Sequence, residues 1–466
     1  MTDLLARRRM AAPGIDRPGW VPLAIVLAGT FVTFLDFFIV NVALPSIATE
    51  LHAGSGSVSL VVAGYGLTFA AGMITGGRLG DRYGRRRMFL LGLGLFTLTS
   101  LACGIAPNVG TLVAARVLQG AAGALLTPQV LAIVGTTYDG ARRGKAFAAY
   151  GFAMGIAGVL GQLVGGALIH ADVAGLGWRA IFLINVPVGL AVVPLARRAL
   201  PESFGARNRL DPVGAATITA ALVALVLPLV EGREHGWPVW TWVSFALVPV
   251  LAAGFVITQR RTARRGGAPL VDPALFRTGS FTIGCIAALT FALVPPSFFF
   301  VLALYLQDGR GYGALLSGVV FTAVGAGYFA AMLLAGGLAA RLGRQVLALG
   351  AVVVALGALT LVATAHAGSS LALVPGLALV GAGIGLVLVP LSSMVLAGVD
   401  PQHAGAAAGV LATAQQVGGA VGVAVISTVF FAGTSVVGSF VTALWVIVGL
   451  ACATTVTAQF LRRRAA

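Results

Sequence analysis

The sequence predicts an all-α polytopic membrane protein of fourteen transmembrane helices: two parallel six-helix repeats with two further helices inserted between them. Three observations lead there. The composition is too apolar for a water-facing protein, the basic residues cluster in alternate connections, and one loop pattern returns 259 residues after its first appearance. Of 466 residues 58% are hydrophobic and only 9% charged, against about 25% charged in soluble domains. A single core stops growing near ~300 residues, so one water-facing domain could not hide this much apolar surface. A soluble enzyme, a disordered chain and a disulfide scaffold are excluded. The formal charge of +16 would suggest nucleic acid in a soluble protein. Here the basic residues sit between apolar runs, where cytoplasmic loops retain Lys and Arg, and no nucleic-acid partner is expected. Cys103, Cys285 and Cys452 lie inside apolar runs and imply no disulfide framework.

Crossing a ~30 Å hydrocarbon core takes about 20 apolar residues. Fourteen segments meet that length: 21–44, 57–76, 88–107, 111–134, 146–170, 178–196, 212–230, 238–258, 280–305, 314–336, 345–364, 371–398, 404–431 and 434–459. Apolar residues run continuously rather than alternating, so a β-barrel is not indicated. The first run is too long for a signal-peptide core and lacks a small-residue cleavage site, so it is expected to stay as a helix. Placing both termini in the cytoplasm puts 26 of the 30 Lys and Arg residues inside. They are Arg7–Arg9 and Arg17; Arg78, Arg82 and Arg85–Arg87; Arg142, Arg143 and Lys145; Arg197, Arg198, Arg207 and Arg209; Arg260, Arg261, Arg264, Arg265 and Arg277; Arg341 and Arg344; and Arg462–Arg464. Only Arg179, Arg233 and Arg310 fall outside, and Arg116 lies within a span. That bias predicts a multi-pass protein of the cell membrane with both termini cytoplasmic.

The connection after the second span reads Gly77-Arg78-Leu79-Gly80-Asp81-Arg82-Tyr83-Gly84-Arg85, and the one after the tenth reads Gly336-Gly337-Leu338-Ala339-Ala340-Arg341-Leu342-Gly343-Arg344. Gly77, Leu79, Arg82, Gly84 and Arg85 recur, while Asp81 becomes Ala340. Spans one to six and nine to fourteen therefore read as two copies, as in many secondary transporters. The expected organisation is a cytoplasmic segment at 1–20, a first bundle at 21–196, a linker with two inserted spans at 197–279, a second bundle at 280–459 and a cytoplasmic tail at 460–466.

Ionisable groups inside spans are expensive and mark function by default. Of the fourteen acidic residues only Asp36 sits near the middle of a span, and of the thirty basic ones only Arg116 does. Asp36 is either a structural hydrogen-bond partner for a neighbouring helix or a proton carrier. Burial and a nearby cation act on such a carboxyl in opposite senses, so changing exposure loads and unloads a proton. Arg116 either stabilises ionised Asp36 or braces the cytoplasmic half of the fourth span, with Gln119 on the same face. Asn41 and Pro45 are the remaining polar or irregular positions late in the first span. The fifth span carries Gly151, Gly155, Gly158, Gly161 and Gly165, which fall within about 120° on a helix. Such a stripe permits close packing, or sliding near the pseudo-twofold axis that seals the cytoplasmic side in one state. In the connection after span two, Gly77, Asp81, Arg82, Gly84 and Arg85 form a candidate latch, with Asp81 capping a helix or pairing with arginine.

In this order, these residues resemble the major facilitator superfamily, in particular its fourteen-helix drug:proton antiporter branch. Leu35-Asp36 with Asn41-Val42-Ala43-Leu44-Pro45 looks like that branch's first-helix motif, whose aspartate is the proton site. Gly77 to Arg87 is similar to the superfamily loop motif, and Arg116-Val117-Leu118-Gln119-Gly120 to the fourth-helix motif, whose arginine is linked to proton transfer. Gly151 to Gly166 resembles the fifth-helix antiporter motif, Trp178 to Pro187 the start of the sixth helix, and Leu210 to Gly214 the loop that follows it. Three positions depart from the pattern. Gln162 follows Gly161 where proline is usual, Phe37 and Phe38 follow the aspartate where small residues are common, and spans nine to fourteen hold no acidic residue. The last departure points away from dicationic cargo.

The expectation is a secondary transporter, not an enzyme, exporting small amphipathic or hydrophobic compounds such as drugs or antibiotics against protons by alternating access. Proton uptake and the cofactor-free gradient would drive it, and it would work as a monomer in the bilayer. Asp36 and Arg116 would couple protons. Cargo contacts would come from Phe37, Phe38, Asn41, Gln119, Gln162, Tyr305, Gln307, Gln415 and Gln416, since aromatic surfaces with few polar anchors suit apolar molecules. Proton-coupled uptake of a metabolite is the alternative. A membrane-embedded lipid-modifying enzyme is remote, because His52, His170, His235, His366 and His403 are scattered without metal-ligand spacing and no phosphate-binding loop occurs.

Overall fold

The computed structural model describes residues 19–205, 210–277, 279–396, 399 and 404–461. Arg7–Arg9, Arg17, Arg207, Arg209, Arg462–Arg464 and His403 lie outside the described residues. Among the described residues, fourteen helices are long and apolar enough to cross a membrane. They are α1 (Val21–Glu50), α2 (Ser55–Tyr83), α3 (Arg85–Gly104), α4 (Val109–Thr137), α5 (Gly140–Ala171), α6 (Gly177–Ala199), α7 (Pro212–Glu231), α8 (Val239–Arg264), α9 (Gly279–Gly309), α10 (Ala314–Leu342), α11 (Gln345–Thr364), α12 (Val374–Leu396), α13 (Ala404–Ala432) and α14 (Val436–Gln459). The described residues contain no strand.

Local chemistry sets several of these ends. Asn108 and Thr111 form a reciprocal capping box at α4. Asp211 accepts from the Gly214 N–H and is followed by Pro212 at the first helical position of α7. α6 is interrupted at Ile184, because Pro187 has no N–H to offer the Leu183 carbonyl. Pro295 and Pro296 do the same below the interruption of α9 at Leu293.

Packing repeats between the halves. α1 packs on α5, α2 on α4, and α3 on α4 and α6; correspondingly α9 packs on α13, α10 on α12, and α11 on α12 and α14. Arg86 Nη1 donates to the Leu200 carbonyl at the end of α6, and Arg344 Nη1 donates to the Leu461 carbonyl after α14. The bundles meet along two seams, α2 with α13 and α5 with α10. The inserted helix α7 lies against both α2 and α13, while α8 rests on α7. Thr428 Oγ1 on α13 donates to the Leu229 carbonyl of α7 at 2.5 Å.

The two repeated motifs are not loops. α2 continues through Asp81 to Tyr83 and α3 begins at Arg85, so the chain turns at Gly84 alone, with φ +106°. The matching corner is Gly343, with φ +54°. Polar, arginine-rich sequence ends the apolar run, but the helix persists past the hydrocarbon edge, and only a glycine takes the corner readily. α9 likewise extends beyond 305 through a π-helical turn, Tyr305–Gly309, which brings Asp308 into the end of the helix. The expectation of no acidic residue in the last six helices is corrected to that extent.

The linker is fastened to the first bundle on the face that carries the arginine clusters, called here the basic face. Arg78 of α2 donates to the Ala268 carbonyl at 2.8 Å and to the Pro269 carbonyl. Burial acts to raise the Asp211 carboxyl, but bonds from Gln259, Gly214 and Leu270 and the nearby Arg78 outweigh it and hold the group below its ordinary value.

Candidate proton site and bundle seam

Asp36 and Arg116 are both sealed from solvent, at 0% exposure. Arg116 Nη1 donates to Asp36 Oδ2 at 2.5 Å, and its Nε donates to the Val61 carbonyl of α2 at 3.0 Å. The arginine thus pairs with the acid and braces α4 against α2. Its guanidinium lies 4.3 Å from the centre of the Tyr65 ring and 5.6 Å from that of Phe182, the cation–π geometry that suits a desolvated cation. Tyr65 in turn donates to the Thr33 carbonyl at 3.2 Å.

The second carboxylate oxygen is held by two amides. Gln119 Nε2 donates to Asp36 Oδ1 at 3.0 Å, and Asn185 Nδ2 donates to it at 2.7 Å. The Gln119 oxygen accepts from Arg116 Nη1 at 2.8 Å and from the Cys103 thiol at 3.5 Å, so its amide nitrogen must face the acid. Three donors converge on Asp36, a set that matches a carboxylate, which accepts only. A protonated carboxyl would present one of them with an O–H, so this arrangement belongs to the ionised acid.

Asp36 faces Arg116, Gln119 and Asn185 inside the first bundle, whereas Phe38 points away from them. Successive helical residues point about 100° apart. Phe38 meets Phe299 of α9 with ring centres 5.2 Å apart, and Phe37 meets Tyr65 at 5.8 Å. One turn of α1 therefore carries the acid on the bundle side and Phe38 on the side of the second bundle, with Phe37 between them against Tyr65 of α2.

The fifth-helix glycines divide between two neighbours. A β-carbon on Gly165 would lie 2.7 Å from Ile39 and Val42, and one on Gly161 would lie 3.2 Å from the Leu35 carbonyl, both on α1. Gly155 instead faces Tyr328 of α10 at 2.7 Å, and Gly318 and Gly325 of α10 face Leu163 and Val159. Gly151 has nothing within 4 Å, nor do Gly336 and Gly337. The seam is tight away from the basic face and loose toward it. Gln307 Nε2 bridges the bundles on that same closed side, donating to the Val42 carbonyl at 2.8 Å.

Several expected cargo contacts change role. Gln119 is consumed by the ion pair. Tyr305 is buried in the second bundle, its hydroxyl donating to the Ala365 carbonyl at 2.6 Å and its ring stacked on Phe440 at 4.0 Å. Gln307 closes the seam. Asn41 donates to the Phe38 carbonyl at 3.0 Å and Gln162 to the same oxygen at 2.7 Å, which ties α5 to α1 where a proline would have offered no donor. Gln415 and Gln416 are half-buried on α13, with Gln415 3.5 Å from Ser392. At the corner, Asp81 pairs with Arg85 at 2.7 Å rather than capping α3. The α3 N-terminus is met instead by Glu202, which accepts from the Arg86 N–H at 2.9 Å. Arg82 lies over the Tyr83 ring, and Gly77 packs beside Pro128. Asn185 and Glu202 were missed by sequence reasoning. The signal for Asn185 is an amide side chain within an apolar span, inside the stretch Trp178 to Pro187.

Residues 26–423 match the family model for the Major Facilitator Superfamily. The chain is 40% identical over 418 residues to a probable actinorhodin transporter of Streptomyces coelicolor, covering 88% of this chain and 72% of that one. It is 36% identical over 439 residues to a puromycin resistance protein of Streptomyces alboniger, covering 91% and 84%. It is 37% identical over 433 residues to a cephamycin export protein of Amycolatopsis lactamdurans, covering 88% and 85%. Among solved structures, a D-xylose–proton symporter superposes with a TM-score of 0.69 at 14% identity over 95% of this chain and 98% of its own, a likeness of fold.

Proposed function

The chain belongs to the Major Facilitator Superfamily, and on that premise we propose that this multi-pass transporter exports small amphipathic or hydrophobic compounds across the cell membrane in exchange for protons. The observation that carries the reading is the convergence of Arg116, Gln119 and Asn185 on a fully buried Asp36. The named export and resistance activities of the relatives support an outward direction and apolar, antibiotic-like cargo.

With the basic face in the cytoplasm, we read the structure as the state closed to the outside with Asp36 ionised, a reading supported by the three donors on its carboxyl. The cytoplasmic side of the α5–α10 seam is the loose one, where cargo enters to meet Phe37 and Phe38 with Gln415 and Gln416 opposite. A proton taken up from outside in the outward-open state removes the acceptor that three donors share, so the ion pair opens and the return inward moves no bare buried charge. Because Asp36 and Phe38 sit on opposite faces of one turn of α1, proton and cargo bind at adjacent sites and act on the same helix. Their exclusion is then a coupling free energy between two states, not competition for one pocket.

In everted membrane vesicles, the Asp36→Asn protein is expected to insert normally yet lose proton-dependent accumulation of ethidium. Undiminished accumulation by that variant would remove Asp36 from the cycle.

A further inference from the structure

We propose that Asn185, oriented by Ser100, sets the proton affinity of Asp36, so that α6 takes part in the proton step; this rests on the proton-carrier reading of Asp36. Asn185 Nδ2 lies 2.7 Å from Asp36 Oδ1 and 2.9 Å from Ser100 Oγ. An amide side chain can turn either its oxygen or its nitrogen toward a neighbour. Here the choice is forced. Ser100 gives its hydroxyl hydrogen to the Phe182 carbonyl at 2.9 Å, so its oxygen has only lone pairs left for Asn185. Both neighbours of the amide are acceptors, and the nitrogen must serve both.

The placement follows from the chain. Asn185 stands directly after the interruption of α6 at Ile184, and Ser100, Phe182 and Asn185 are all at most 1% exposed or fully buried. The result is a fixed relay from the Phe182 carbonyl through Ser100 to the amide and then to the acid. It holds a donor against the ionised carboxyl and offers no acceptor for the O–H of a protonated one. From the helices packed around Asp36, the charged or titratable groups are Arg116 on α4, Tyr65 on α2 and Cys103 on α3. α6 contributes the neutral amide.

Loss of one charge-assisted bond to a carboxylate is expected to raise the pH midpoint for proton release by about one unit. Infrared difference spectra of the purified full-length protein, titrated in pH, read the carboxyl C=O stretch of a buried acid without any cargo. The Asp36→Asn protein identifies the band by its loss. Asn185→Ala should move the midpoint upward by about one unit, Ser100→Ala should move it the same way by less, and Ser100→Thr, which keeps the hydroxyl, should restore it. A purely structural role for these residues would lower stability and leave the midpoint in place. If Asn185→Ala fails to fold, the two Ser100 variants decide. Midpoints unchanged in the variants, with the band assigned to Asp36, would overturn the role of Asn185 alone. If no titrating band is lost in Asp36→Asn, the proton-carrier reading is overturned and this inference with it.

Discussion

Removing Arg116 isolates the energetic content of the buried pair. In the wild-type site the guanidinium meets Asp36 at 2.5 Å with both side chains out of solvent. Deleting one partner of such a pair costs ~3–5 kcal/mol, because a charge is left buried and unpaired. The penalty has a ceiling: at pH 7, protonating a carboxyl of ordinary pKa about 3.9 costs ~4 kcal/mol, and Asp36 takes that route rather than stay bare. The bond from Nε to the Val61 carbonyl is lost as well, for ~1–2 kcal/mol that no change at Asp36 can return. Arg116→Ala alone should therefore lower unfolding free energy by ~4–6 kcal/mol at pH 7. In the Asp36→Asn background Arg116 is itself a buried charge without a carboxylate, so the same change should cost at most ~1–2 kcal/mol, giving a coupling of at least ~3 kcal/mol. The sign with pH is set by the carboxyl: as pH falls toward about 4 its neutralisation becomes free, and the Arg116→Ala penalty shrinks to the Val61 contribution. Detergent-titrated unfolding of the four proteins measures the cycle. Additivity within ~0.5 kcal/mol, at pH 7, would refute an energetically coupled pair.

Two further outcomes follow from packing. Gly165→Ala places a methyl group 2.7 Å from Ile39 and Val42 on α1 and should cost ~1–3 kcal/mol by overpacking, whereas Gly151→Ala, with nothing within 4 Å, should be neutral in stability; equal effects in thermal unfolding would contradict the α1–α5 geometry. At the α2–α3 corner, Glu202→Ala should cost ~0.5–2 kcal/mol, the range for losing a helix N-terminal acceptor, and Asp81→Asn less, because its pair with Arg85 is partly exposed and such pairs are worth ~0–1 kcal/mol. The reverse order in the same unfolding assay would make Asp81 the main tie.

Much of the architecture is legible in the chain because hydropathy and charge are local. Fourteen apolar runs, the alternation of arginine clusters and the 259-residue repeat each survive without knowing how any helix is rotated. Rotation is what the sequence withholds. Gln119 and Tyr305 read as chamber residues, yet one is turned into the ion pair and the other into the second bundle. The arginine-rich stretch 77–87 reads as loop because hydropathy stops at the edge of the hydrocarbon, while helix geometry does not. Asn185 carries no charge to draw attention, and its importance lies in being brought against Asp36 from 149 positions away. Glu202 is likewise unremarked until the chain folds it back onto the start of α3.

The exchange itself is most directly tested in proteoliposomes that hold a pH-reporting dye in an acidic lumen, with puromycin added on the side where the transporter's cytoplasmic face is exposed. Entry of puromycin should be accompanied by loss of lumenal protons in the wild-type protein and by none in Asp36→Asn. Puromycin entry without proton movement, or an equal proton movement in Asp36→Asn, would contradict the account.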